Sequence, residues 1–363
     1  MSAPEAVRVR REDLEALVAS CLTGLEVPEP DARVVAEVLV DANLRGVDTH
    51  GIVRAPVYMR RVARGLTGGT ERMRVVREDG PALRLDAAQA LGPAAGVLGL
   101  DRAVALAGEH GVAVVAVGGS THFGHAGFYA RRAAERELVA LVWTNAPKAM
   151  AAFGAAGPFL GTNPLAIGLP LGRHGAFVLD MATSVAARGR IIRARDAGRA
   201  IEPGLALDAE GEPTTDAEAA LAGAMLPVGG PKGSGLALAI ALLAGLLAGA
   251  DFDDELADLY GEWERTQNVG HVFVVLDPWR LGGRDAGLER VAGLIDRLHA
   301  LPPAVGHDGA LFPGEPEAAL AAERERDGVP VDPRELEAIA ATADELGLDA
   351  VAARARALRR SAG

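Results

Sequence analysis

The sequence predicts an α/β protein with helical ends. Three observations predict it. Apolar and β-branched runs recur through the middle of the 363 residues, helical apolar spacing marks both ends, and glycine-rich turns follow several of the runs. Residues 1–72 form the helical front, expected to pack with a helical tail at 313–363, and 73–312 form the α/β domain.

In chain order, residues 11–24 and 31–45 repeat apolar positions at helical spacing, with Pro28 and Pro30 between them. A third helix is expected from His50 to Arg64, stopped by Gly65. Short strands follow at 74–76 and 82–85, then a helix at 94–109 ended by Gly111. Strands are expected at 112–117, 138–143, 165–169, 177–179 and 272–276. Helices are expected at 125–136, 184–197, 235–249 and 284–300, and in the tail at 315–326, 333–345 and 347–361.

Composition narrows the function. Hydrophobic content of 49% with 24% charged is ordinary for a soluble globular protein. A net charge of −12 argues against nucleic acid and anionic membranes, whose affinity comes from neutralised phosphate. The lone Cys21 rules out an internal disulfide and fits a reducing compartment, the cytoplasm. The N-terminus is rich in Arg and Glu and has no apolar leader segment. The uncharged stretch at 233–250 reaches the lower edge of a membrane-span length, and a buried helix explains it better.

The chain uses arginine 35 times and lysine only at Lys148 and Lys232. A lysine kept against that bias points to a need for a compact ammonium. Asn145 and Lys148 share one loop, and Lys232 opens a glycine-rich turn, G-G-P-K-G-S-G at 229–235, before the apolar helix. Backbone amides at such a helix start can cradle phosphate, although neither a P-loop nor a G-x-G-x-x-G fingerprint is present.

The stretch R-G-V-D-T-H-G-I-V-R-A-P-V-Y at 45–58 supplies Thr49, His50, Arg54 and Tyr58. On one helix His50, Arg54 and Tyr58 would stack on one side, a guanidinium for a carboxylate beside an imidazole for a proton. The same spacing fits a capped amphipathic helix start, and Pro56 would bend a helix begun at His50. Gly118–Gly127 opens from the expected 112–117 strand and carries Ser120, His122 and His125. Its H-x-x-H pair suggests metal, but no adjoining acid or cysteine completes a ligand set. The D-M-A-T-S run at 180–184 offers hydroxyls at a helix start. The arginines at 188, 190, 193 and 195 read most simply as a solvated face, with a cofactor 2′-phosphate as the other option.

Taken together, seven motifs resemble the type-2 malate/L-lactate dehydrogenase family across nearly the whole chain. They are R-G-V-D-T-H-G-I-V-R at 45–54, S-T-H-F-G at 120–124, G-T-N-P-L-A at 161–166, D-M-A-T-S at 180–184, P-K-G-S-G-L at 231–236, N-V-G-H at 268–271 and P-G-E at 313–315. The resemblance implies an NAD(P)-binding mixed-sheet domain distinct from the Rossmann fold, in a homodimer. It implies interconversion of a small 2-hydroxy acid and 2-oxo acid using NAD or NADP, with no metal. By position, His50, His122 and Arg54 are the expected catalytic residues. Thr49, Tyr58, Ser120, Asn145 and Lys148 are expected around the substrate. Val178, Leu179, Asp180, Met181, Ala182, Thr183, Ser184, Lys232, Gly233, Pro313, Gly314 and Glu315 are expected around the dinucleotide. His50 is the favoured proton carrier because it adjoins Arg54. Ser234, where the family often has tyrosine, leaves substrate or cofactor preference open. The rival readings are a reductase of cyclic imine carboxylates, a metal-dependent hydrolase or lyase on His122 and His125, and a non-catalytic NAD(P)-binding protein.

Overall fold

The computed structural model describes residues 6–360. Residues 1–5, part of the stretch read as having no leader, and residue 361 of the expected last helix lie outside them. At the centre is a seven-stranded mixed sheet. Its order is Arg74–Asp79, Ala82–Asp86, Val112–Ser120, Val269–Leu276, Val139–Thr144, Leu165–Pro170, Ala176–Met181. Only Ala82–Asp86 and Val112–Ser120 pair in parallel, joined by the helix Gly92–His110. A parallel pair needs such a crossover, whereas the antiparallel neighbours do not. Leu83, Leu85, Val115, Val117, Val142 and Phe273 bury one face of the sheet against Leu100 and Leu106 of that helix and Phe128 and Tyr129 of Ala126–Ala134.

The chain ends meet. Val7–Val9 pairs antiparallel with Val329–Val331, and Leu14, Leu17, Val35, Leu39 and Met59 share a core with Leu336, Ile339, Ala340 and Val351. A separate five-stranded sheet combines Pro213–Thr214, Ala206–Leu207, Ala224–Met225, Met150–Ala151 and Pro158–Leu160. Strands of two or three residues carry no readable alternation, so sequence spacing missed them.

Four expectations need correction. No helix starts at His50: two 3₁₀ turns, Asp48–His50 and Ile52–Arg54, precede the helix Ala55–Ala63. The break falls at Gly51, in extended conformation, where a Cβ would lie 2.1 Å from Asn43 Oδ1. Pro56 then sits in the first turn, where its missing N–H matters little. The strand expected at 112–117 runs on to Ser120, so Gly118 and Gly119 belong to the sheet. The helix expected from 184 starts at Arg188, so Thr183 and Ser184 cap nothing: their hydroxyls donate to the carbonyls of Thr162 and Ala186. Finally, the apolar helix Pro231–Leu243, continued by a wide turn to Ala248, is only 39% buried over that span. Leu238, Leu242 and Leu246, spaced by four, are 45%, 45% and 76% exposed.

One buried cation positions the rim of the site. Arg61, 1% exposed, donates to the carbonyls of Leu259 (3.4 Å), Glu262 (3.1 Å) and Arg265 (2.8 Å), holding the 259–265 segment on the Ala55–Ala63 helix. Arg61→Ala orphans these carbonyls and is expected to cost about 3 kcal/mol in urea denaturation.

Candidate active site

A cavity of about 450 Å³ opens between the Asp48–Arg54 turns, the end of the Val112–Ser120 strand and the Ala176–Met181 strand. Thr49, His50, Arg54, His122 and Asn145 line it, as do Val178, Leu179, Asp180, Ala182, Pro313 and Gly314. Thus the 3₁₀ turns, not a continuous helix, bring His50 and Arg54 to one wall.

The histidines form a stacked pair, ring centroids 5.4 Å apart. Tyr58, 2% exposed, places its hydroxyl 2.8 Å from His122 Nδ1 and 3.1 Å from the His122 carbonyl. The Gly124 N–H also donates to His122 Nδ1 (3.3 Å), so in the neutral ring the proton belongs on Nε2. Nε2 has no protein partner among the described residues, which leaves it for a ligand. His50 Nδ1 lies 3.0 Å from the Thr49 hydroxyl. Burial, then the Arg54 charge, holds both imidazoles well below the ordinary range, so both are neutral near pH 7. Arg54 donates from Nε to the Thr49 carbonyl (2.8 Å) and lies over the Tyr260 ring at 5.4 Å. No carboxylate pairs with it among the described residues.

Behind this wall lies a charged network. His125 Nε2 is 3.2 Å from Asp41 and Nδ1 is 3.6 Å from Asp180. Arg131 and Arg45 also reach Asp41, at 2.8 and 3.2 Å. Burial opposes the charge on Asp41, but the His125 hydrogen bond and the Arg131, His125 and Arg45 charges outweigh it and hold the carboxyl well below its usual range. Burial likewise opposes the charge on His125, and its hydrogen bonds to Asp180 and Asp41 raise it. Both nitrogens of His125 are therefore spent on carboxylates. Among the described residues, no group of His, Cys, Asp and Glu could hold a metal.

Other expected site residues lie elsewhere. Ser120 is fully buried and its hydroxyl sits 2.8 Å from His271 Nε2, behind the cavity wall. Lys148 is exposed and lines a smaller cavity of about 150 Å³ beside the first. Met181, Thr183 and Ser184 lie off the wall, and Glu315 lines a neighbouring cavity with His299, 3.0 Å away. Lys232 is exposed, and Gly233 packs on the backbone of Val228 and Thr183, apart from the main cavity.

Sequence reasoning missed Asp258, Tyr260, Gln267 and Gly189, all on the cavity wall, while Arg188, read most simply as part of a solvated face, lines it too. No local pattern marks the first three. It also missed the His271 relay: Nε2 to Ser120 and Nδ1 to the Thr144 hydroxyl, each 2.8 Å, with the ring stacked on Phe123 at 4.4 Å.

Comparison with known proteins gives the family. Residues 9–340 match the malate/L-lactate dehydrogenase family. The chain is 37% identical over 312 residues to (2R)-3-sulfolactate dehydrogenase (NADP(+)) of Chromohalobacter salexigens, covering 86% of this chain and 91% of that one. It is 33% identical over 310 residues to ureidoglycolate dehydrogenase (NAD(+)) of Escherichia coli O157:H7, covering 85% and 88%. The solved sulfolactate dehydrogenase from Methanocaldococcus jannaschii superposes with a TM-score of 0.87 at 35% identity, covering 94% and 98%. The chain belongs to the malate/L-lactate dehydrogenase family.

The buried histidines carry a pH signature. Burial keeps His271 neutral down to about 3, whereas the unfolded chain titrates near 6.5. Between those values the unfolded state binds a proton that the folded state refuses, so stability falls as pH drops below 6.5. His50 and His122 act with the same sign. His271→Gln is expected to flatten the decline in Tm between about pH 6.5 and about pH 4.

Proposed function

We propose that this member of the malate/L-lactate dehydrogenase family is an NAD(P)-dependent oxidoreductase interconverting small 2-hydroxy and 2-oxo carboxylic acids. The observation that carries the reading is Arg54: a guanidinium without a carboxylate, beside two neutral histidines in one cavity. The cavity volume lies within the usual range for cofactor and ligand sites. Its Val178, Leu179, Ala182, Pro313 and Gly314 side offers uncharged wall and backbone suited to a dinucleotide. These residues, with Asp180, would hold the cofactor, which when bound supplies or accepts hydride at nicotinamide C4. A single parallel pair in the seven-stranded sheet supports a nucleotide-binding fold other than the doubly wound Rossmann type. The shared core of the two ends supports a helical unit of 1–72 with 313–363 beside an α/β unit of 73–312.

Arg54 grips the substrate carboxylate through its free terminal nitrogens and so orients the carbon α to it. Its charge is then largely neutralised, which relieves the part of the depression of both imidazoles that the charge adds to burial. In the oxidative direction a neutral histidine takes the hydroxyl proton; in reduction its imidazolium returns it. His50 is the proton carrier beside the clamp. Tyr58 fixes the His122 ring so that Nε2 meets the substrate oxygen.

The panel that tests this measures NADH and NADPH oxidation with pyruvate, oxaloacetate, sulfopyruvate and a cyclic imine carboxylate. Turnover of the oxo acids is expected, with kcat falling about 10²–10⁴-fold in His50→Ala. Arg54→Lys is expected not to restore the KM lost in Arg54→Ala, because an ammonium lacks the paired fork. Full activity in both His50→Ala and His122→Ala overturns the mechanism.

A homodimer fits the same reading. The Leu238, Leu242 and Leu246 stripe with Phe252, 41% exposed, is an apolar face that a second copy would cover. Leu242→Glu with Leu246→Glu is expected to convert a dimer to a monomer in light scattering. An unchanged mass places the contact elsewhere.

A further inference from the structure

A dinucleotide is two nucleosides joined through a pyrophosphate, and its nicotinamide end belongs beside His50 and His122 with the substrate. The adenosine end must then lie in a cavity that continues the catalytic one. A second cavity, of about 510 Å³, shares Arg45, Arg131, Val178 and Gly314 with it. The side cavity that shares Ala149 and Arg188 holds about 150 Å³. That is below the roughly 300 Å³ of ordinary ligand sites. Another cavity, of about 640 Å³, shares no lining residue with the catalytic one. The second cavity also has rings suited to a base. His174 and His299 meet edge to face at 5.7 Å, and His299 lies 5.9 Å from Phe312.

The charges of this second cavity are all spoken for. Arg45 and Arg131 both reach Asp41, and Arg131 also reaches Glu135 at 2.6 Å. His299 pairs with Glu315 at 3.0 Å, and His174 Nε2 lies 2.9 Å from Asp296. Arg173, next in the chain, pairs with the same Asp296 and, at 3.5 Å, with Glu289. The acids on the wall are Glu135, Glu137 and Glu315, and Glu137 is held by Arg284. Each cation lining this cavity therefore already faces a carboxylate. A 2′-phosphate, with about two negative charges at neutral pH, would find no free partner and several acids. A 2′-hydroxyl needs only an acceptor, which a carboxylate supplies.

We propose that this cavity takes the adenosine of the cofactor, and that Asp296, by holding Arg173 and His174, makes the enzyme select NAD over NADP. The inference rests on the dehydrogenase reading and deepens it. The rival place for a 2′-phosphate is Arg188, on the catalytic cavity wall. Asp296 lies on the Arg284–His299 helix with its side chain 48% exposed, so replacing it opens no core.

The test titrates the substrate-free protein calorimetrically with NADH and NADPH. It repeats this with ADP-ribose and its 2′-phosphate, which lack the nicotinamide. The wild type is expected to bind the unphosphorylated member of each pair about tenfold tighter. Asp296→Ala is expected to narrow that gap about fivefold by tightening the phosphorylated member, and adding Arg173→Gln to remove the gain. Asp296→Asn serves as a second neutral variant, and an unchanged Tm is expected for both. Equal affinities in the wild type, or a preference for NADPH, overturn the proposal. So does a gap untouched by both Asp296 variants, or a loss of NADPH but not NADH affinity in Arg188→Gln. Turnover of oxo acids with either cofactor keeps the dehydrogenase reading in each of those cases. Selective binding without turnover of any oxo acid removes that reading alone, and a chain that binds neither nucleotide removes both.

Discussion

The site depends on a guanidinium buried without a carboxylate. Taking the Arg54 charge out of water is unfavourable, and burial lowers its pKa for that reason. The chain offsets this only in part, with the Thr49 carbonyl and the Tyr260 face. A carboxylate entering the cavity completes the set. The same uncompensated charge adds to burial, the larger cause, in holding His50 and His122 unprotonated.

The surrounding structure fixes where that charge sits. Asn43 Oδ1 accepts the Ile52 N–H at 2.8 Å and pins the second 3₁₀ turn. Arg61 anchors the segment bearing Tyr260. Asp41 gathers Arg45, Arg131 and His125, and so ties the Glu29–Leu44 helix to the Ala126–Ala134 helix and, through Asp180, to the Ala176–Met181 strand. By absorbing Arg45 and Arg131, this cluster leaves Arg54 and Arg188 as the cavity arginines without an ion-pair partner among the described residues.

Much of the central sheet and most long helices were legible because β-branched runs and helical spacing are local signals. The 112–117 strand was seen from its valines, yet its last residues were not, since glycines read as an opening rather than as sheet. The second sheet was invisible because its strands hold two or three residues each. At the site, His50, Arg54 and His122 stood out by residue type within recognisable motifs, although the imagined helix joining His50 to Tyr58 was wrong at Gly51. Tyr260 and Gln267 reach the cavity only through tertiary folding. Arg188 looked like one of several surface arginines, and its place on the cavity wall, which Arg190, Arg193 and Arg195 do not share, sets it apart.

The clasp between the two ends bears on how the protein is made. Arg324, in the Glu315–Asp327 helix, donates to the Asn43 carbonyl and, at 2.9 Å, to Asp48. The turn carrying His50 is thus fastened by a residue 276 positions after Asp48. During translation, the front of the chain leaves the ribosome long before this fastener exists. Until the tail emerges, the Arg324 contacts that hold the Asp48–His50 turn cannot form, and closing so long a loop carries an entropic cost.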